Sequence, residues 1–223
     1  MHSSHASAYN FKTAHQIWDR RGQTDKGRQD GLTPESDVES ILHTLQSQQA
    51  QTVLDLGCGV GRHALLLAEN GFTTHGVDYS VNGLQEAGQT AQKKDLTLHL
   101  NAGDMTDLPY RDASFDYVLA WNVIYHGEPK DLKQAITEIH RVLRPGGLFQ
   151  GTFLTKTNTN FGQGTKVAKD TYVHGLSEKS SPHCDCNAEE ACRRLAAFNL
   201  LSLYQREHTK PGSHHWHFIA QKP

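Results

Sequence analysis

Val53-Leu54-Asp55-Leu56-Gly57-Cys58-Gly59-Val60-Gly61-Arg62 carries an apolar run into a loop with glycine at every second position. Glycines at that density let the backbone turn sharply and leave room for a ligand to lie directly on it. A helical pattern follows from Gly61 to about Asn70, and a helix N-terminus offers unpaired N–H groups to whatever occupies the loop. Strand, tight loop and helix together predict a pocket for a nucleotide-type ligand. Arg62 stands where a dinucleotide fingerprint has its third glycine, which disfavours a nicotinamide-dependent oxidoreductase.

Outward from this unit, strands and helices alternate. Thr33 as cap and Pro34 in the first turn predict a helix, with Val38, Ile41, Leu42 and Leu45 on its buried face. Strands are expected at 52–56, 74–77, 96–100, 115–120 and 148–154. Helices are expected from Val81 to about Lys93 and from Asp131 to Leu143, the latter stopped by Arg144-Pro145-Gly146-Gly147. Residues 155–182 show no period and are too long for an ordinary connection, so they read as a functional lid or a mobile segment. A helix over 188–198 and strands at 200–207 and 215–220 complete the chain, with a turn at Pro211-Gly212. This order predicts a three-layer α/β fold with a mostly parallel seven-stranded sheet and an antiparallel last strand.

The 223 residues are enough for one domain. It divides into an N-terminal cap segment (1–32), a core (33–154), a substrate-side insertion (155–187) and a C-terminal helix and strands (188–223). A formal net charge of −2 and the lack of a Lys/Arg run argue against nucleic-acid or anionic-membrane partners. No apolar stretch approaches the roughly 18 residues of a membrane span. The N-terminus lacks the pattern of a secretory signal. The four cysteines, Cys58, Cys184, Cys186 and Cys192, are not spaced as a disulfide framework, so the chain reads as cytoplasmic with free thiols.

Four features sit where a ligand would touch them. Asp55 ends the first strand. Asp78 ends the second, where a carboxylate can accept both hydroxyls of a ribose. Asp104-Met105 follows the third, at the place of a purine. Trp121-Asn122 follows the fourth. All lie at carboxyl ends of strands, where open α/β sheets bind ligands. Each also has a plainer reading: Asp55 and Asp78 as helix caps, Cys58 as a small residue in a crowded loop, Arg62 and His63 as solvated helix positions.

With Gly76-Val77-Asp78-Tyr79-Ser80, Gly103-Asp104-Met105, Phe115–Asn122 and Arg141–Gly147, the opening stretch resembles a class I S-adenosylmethionine-dependent methyltransferase over residues 33–154. The Gly-Cys-Gly-x-Gly-Arg-His loop is similar to the tellurite-resistance and thiopurine group of small-molecule methyltransferases. The resemblance implies S-adenosylmethionine as cofactor. Gly57, Cys58, Gly59 and Gly61 would pack against its methionine portion and ribose. Asp55 would face the ammonium, Asp78 the ribose hydroxyls, and Tyr79, Asp104 and Met105 the adenine. Trp121 and Asn122 would lie near the reacting methyl.

Methyl transfer from a sulfonium is an in-line displacement whose leaving group departs neutral. The protein must supply alignment, and a base only for a protonated acceptor. His126 is the first candidate base and Tyr125 the second. Trp121-Asn122-Val123-Ile124 differs from the Asn/Asp-Pro-Pro-Tyr/Phe that nucleobase amino-methyltransferases carry here. Phe161, Tyr172 and His174 in the insertion, and Trp18 in the cap segment, are candidates for acceptor contact. Phe161 and Tyr172 have the alternative of anchoring the loop. His183-Cys184-Asp185-Cys186 does not have the usual zinc spacing, and no metal is expected. The expected partner is a small-molecule methyl acceptor and the expected state a monomer or homodimer. The rival function is a non-catalytic S-adenosylmethionine-binding sensor.

Overall fold

The computed structural model describes residues 33–174, 181–208 and 210–223. Helix α1 (Ser36–Ser47) precedes β1 (Thr52–Leu56), α2 (Arg62–Glu69), β2 (Thr73–Asp78), α3 (Val81–Lys93) and β3 (Leu98–Ala102). Then come β4 (Phe115–Ala120), α4 (Pro129–Val142), β5 (Leu143–Thr155), β6 (Thr165–Ala168), β7 (Thr171–Val173) and β8 (His183–Cys186). Helix α5 (Ala188–Arg194), β9 (Asn199–Glu207) and β10 (His214–Gln221) close the chain.

Strands β3, β2, β1, β4 and β5 pair in that order, all parallel. β10 runs antiparallel to β5 on one side and to β9 on the other. The seven expected strands, with the last antiparallel, are present, but among the described residues they belong to a sheet of ten. Alternation along the strands sorts two cores. Val53, Tyr117 and Leu119 pack with Val38, Ile41 and Leu45 of α1 and Leu67 of α2. Leu54, Val118 and Ala120 pack with Leu132, Ile136 and Ile139 of α4 and with Ala191 of α5.

Several boundaries differ from the sequence expectation. α1 begins at Ser36, with Glu35 rather than Thr33 at the cap position. Asp131 begins no helix. Its carboxylate accepts from the Glu128 N–H at 2.8 Å, inside the first turn of a helix that starts at Pro129. β5 starts at Leu143, so the Arg-Pro-Gly-Gly run lies in an irregular strand entry. The final helix ends at Arg194. Arg62 and His63 are not solvated positions: Arg62 pairs with Glu35 at 3.4 Å, and buried His63 accepts from the Glu35 N–H at 3.2 Å.

The insertion contains three short strands that the sequence reading missed. β6 and β7 form a hairpin, β7 pairs antiparallel with β8, and β8 joins β5 in parallel through Leu154↔Asp185 and Thr155↔Cys186. The neighbouring pairing of β4 with β5 ends at Ala120↔Gly151. β8 thus takes up the sheet where β4 leaves it. It also grips the loop that follows β4, through Cys184 N–H to Tyr125 O at 2.9 Å and Gly127 N–H to Pro182 O at 2.8 Å.

The loop carrying Asp104 and Met105 is clamped from α4. Arg141 donates to the Leu108 carbonyl at 3.0 Å, the Tyr110 carbonyl at 2.7 Å and the Glu138 carboxylate at 2.6 Å. Glu138 in turn accepts from the Leu108 N–H at 2.9 Å. Removing the guanidinium leaves a buried carboxylate without its cation, a class of change that costs about 3 kcal/mol. Arg141→Leu is therefore expected to lower the denaturant midpoint strongly, and an unchanged midpoint would show that the clamp carries no stability.

Candidate active site

The glycine loop is held by the end of β2. Gly57 and Cys58 donate to the Val77 carbonyl at 2.7 and 3.1 Å, and Gly59 donates to Asp78 Oδ2 at 2.8 Å. Asp78 Oδ1 takes the Ser80 N–H at 2.7 Å. The helix-capping role weighed for Asp78 belongs to Ser80, whose hydroxyl accepts from the Gly83 N–H. Gly57 has φ +70, and a Cβ there would lie 2.2 Å from Val123 Cγ2, so the loop and the segment after β4 meet without room for a side chain. Gly59 has φ +53 and nothing within 4 Å of where its Cβ would point. The floor of the loop is open above Gly59.

Asp55 lies beside this floor and is 2% exposed. It takes a hydrogen bond from the Ala64 N–H in the first turn of α2, so the capping reading is correct for one oxygen. Its Oδ2 is buried and has no partner among the described residues. Burial pushes the carboxyl up to about 7, against the pull of nearby Arg62 and the Ala64 N–H, with Asp78 adding a small upward push. A buried carboxylate oxygen without a donor is costly, and a bound cationic N–H group would satisfy it.

Along the rim, the exposed Tyr79 bonds to Asp104, and burial with that contact holds its hydroxyl above the usual range. Asp104 Oδ1 also takes the Thr106 N–H and hydroxyl, each at 2.8 Å. Met105 is partly buried against the α4-side core. Asn122, at φ +58, turns the chain out of β4. Thr152 locks it, accepting from the Asn122 N–H at 2.9 Å and donating to its Oδ1 at 3.1 Å.

Residues 53–147, which contain all of these groups but Thr152, match the methyltransferase domain family. Over these residues the chain is similar to a methyltransferase domain. Methyltransferase GfsG of Streptomyces halstedii is 36% identical over 113 residues, covering 49% of this chain and 40% of that protein. The malonyl-[acyl-carrier protein] O-methyltransferase of Pseudescherichia vulneris is 34% identical over 117 residues, 52% of this chain and 44% of that protein. The chain thus spans less than half the length of these curated relatives. In fold it is similar to a Burkholderia thailandensis 1,6-didemethyltoxoflavin-N1-methyltransferase solved with its acceptor and S-adenosylhomocysteine, at TM-score 0.72 and 22% identity, covering 99% and 93% of the two chains. TehB of Haemophilus influenzae is similar at TM-score 0.64 and 14% identity, covering 94% of this chain and 67% of that one. At these identities the two structural likenesses are of fold alone.

The fold turns the remaining sequence-chosen residues in different directions. The Cys58 thiol packs with Ala64 and Leu84 beneath the loop, where burial pushes it well above its usual range, so only its backbone borders the floor. Trp121 is buried on the α1 face, with its ring 6.0 Å from His208 and nearly parallel to it, and 4.9 Å from His217. Tyr125 is buried on the α4 side, its hydroxyl 3.3 Å from His215 Nε2. His126 Nε2 donates to the Asn122 carbonyl at 3.1 Å, and its ring meets His183 at 4.6 Å. Phe161 and Tyr172 contact each other edge to face at 5.6 Å, and His174 approaches His183 at 5.9 Å. Trp18 lies outside the described residues.

Cys58, Cys184 and Cys186 are buried and Cys192 exposed, all as free thiols. Among the described residues no group of His, Cys, Asp or Glu is arranged to hold a metal ion, and no helix is long and apolar enough to cross a membrane. Sequence reasoning missed Asp37 and His208. Asp37 reads as a helix first-turn acid, but His217 Nδ1 donates to it at 2.6 Å and Arg206 at 2.7 Å. The only sequence signal was the abundance of histidine near the C-terminus.

Proposed function

We propose that this protein transfers a methyl group from S-adenosylmethionine to a small-molecule acceptor. The observation that carries the reading is the unpartnered, buried Oδ2 of Asp55 beside the open floor over Gly59. When bound, S-adenosylmethionine supplies an electrophilic methyl on a sulfonium whose departure needs no acid.

The chain's part is to bind and align. Asp55 takes the ammonium, and Gly57, Cys58, Gly59 and Gly61 present bare backbone. Asp78 takes the ribose hydroxyls while still tying down Gly59, since a carboxylate accepts about four hydrogen bonds. Tyr79, Asp104 and Met105 border the adenine. Trp121 and Asn122 close the methyl end. Tyr125 and His126 stand on the acceptor side, the second as base where the acceptor arrives protonated, and Phe161, Tyr172 and His174 on the insertion select the acceptor, with Trp18 from the cap segment. The same reading makes 1–223 one catalytic unit, cytoplasmic, monomeric or homodimeric, and without nucleic-acid or membrane partners. A non-catalytic sensor would leave the acceptor-side groups without work.

A screen of acceptor classes that follows S-adenosylhomocysteine release tests this, with turnover as the expected result. Failure to bind S-adenosylhomocysteine in calorimetry would refute it. Asp78→Ala removes the ribose contact and frees the Gly59 and Ser80 N–H groups. It is expected to weaken S-adenosylhomocysteine at least tenfold, and an unchanged affinity would count against the ribose assignment.

A further inference from the structure

We infer that His208 is a specificity-determining residue whose Nδ1 lone pair, held in place by a relay through His217 to Asp37, accepts a hydrogen bond from a hydroxyl or N–H of the methyl acceptor. The inference rests on the methyl-transfer reading and adds the chemistry the acceptor must carry.

Hydrogen-bond logic settles the tautomers. A carboxylate only accepts, so the His217 nitrogen 2.6 Å from Asp37 Oδ2, Nδ1, carries the proton. His217 Nε2 is then a lone pair, and it lies 2.9 Å from His208 Nε2. Two ring nitrogens at that distance share one proton, which therefore sits on His208 Nε2. The lone pair of His208 is left on Nδ1. Among the described residues no hydrogen bond reaches that atom, and it is not among the buried, unsatisfied polar atoms.

The ring is also fixed in orientation. It stacks on His215 with centroids 3.8 Å apart and lies within 3° of the plane of Trp121. His215 Nδ1 donates to the Ser213 carbonyl at 3.3 Å, so its Nε2 accepts from the Tyr125 hydroxyl at 3.3 Å. The stack thus joins Trp121 at the end of β4 to Tyr125 on the loop after it, the stretch proposed to border the acceptor.

Burial holds His208 down at about 4, and His217 of β10, Arg206 of β9 and Arg62 of α2 add to this while Asp37 of α1 opposes it. Its stacking partner His215 is likewise held at about 3, chiefly by burial. The ring is therefore neutral near pH 7 and is a poor base. It reads a donor rather than removing a proton, and protonation of Nδ1 would turn the acceptor atom into a donor.

The test uses the whole chain labelled with ¹⁵N at histidine. The expected spectrum shows His208 with a protonated Nε2 and a bare Nδ1 at pH 7. Titration with phenol is expected to shift the His208 Nδ1 resonance upfield, and anisole, which has the same ring and no donor, to leave it in place. His217→Gln is expected to scramble the His208 tautomer. A proton on Nδ1 in the wild type, equal shifts with both probes, or no shift with phenol would overturn the inference. S-Adenosylhomocysteine calorimetry on the same sample separates the two readings. Binding without the phenol shift defeats only the role of His208, whereas no binding defeats the methyl-transfer reading and leaves the relay to be judged by the tautomer.

Discussion

Replacing Asp55 with asparagine is expected to weaken S-adenosylhomocysteine binding about 100-fold, the equivalent of a lost charge-assisted contact, while raising the stability of the free protein at pH 8. Both effects come from the same oxygen. Burial raises the carboxyl from 3.8 to about 7, so the folded state holds the proton more tightly than the unfolded chain. Its contribution to stability is complete below the unfolded value and is lost as pH rises through about 7. Above that pH the ionised, buried carboxylate costs on the order of 4 kcal/mol. An asparagine side chain has no charge to bury, so the advantage of Asp55→Asn in denaturant midpoint should be larger at pH 8 than at pH 5. In the wild type, an ammonium prefers the ionised carboxylate, so affinity should fall as pH drops below about 7. An asparagine variant that binds equally well, or that is less stable at pH 8, would remove Asp55 from the site.

Gly59→Val is expected to abolish S-adenosylhomocysteine binding, by more than about 1,000-fold, while the fold survives. At φ +53 with open space around the added Cβ, the substitution costs backbone strain of roughly 1–3 kcal/mol and creates no clash. Its side chain instead occupies the floor on which the ligand would lie. Gly57→Val is the contrast. Its Cβ would fall 2.2 Å from Val123 Cγ2, so that variant should lose its fold rather than its ligand. Calorimetry and thermal unfolding on the pair separate the two. Retained affinity in Gly59→Val would place the ligand elsewhere.

The fold's frame was legible because its central strands β1 and β4 are buried on both faces and its helices are one-sided. β1 and β4 have the bounds the apolar runs suggested, and α3 runs from Val81 to Lys93 as its pattern implied. The insertion was not legible. β6, β7 and β8 are three or four residues long, and β6 is half exposed, so no hydrophobic period marks them. They exist because β8 finds a vacant edge on β5, about thirty residues earlier in the chain.

The candidate site divides in the same way. Asp55, the glycine loop, Asp78 and Asp104 follow from local order, since each ends or follows a strand and a parallel sheet aligns all such ends on one side. Their residues alone pointed to the domain type and to the proposed position of the cofactor floor. Only tertiary structure left one oxygen of Asp55 without a donor, turned the Cys58 thiol away from the floor, and brought Asp37 to His217 and His217 to His208. The Asp37 contact joins α1 to a hairpin 180 residues later, and the His208 contact then crosses that hairpin. Such a meeting is set by which faces pack together, and a periodicity read along one segment carries no record of it.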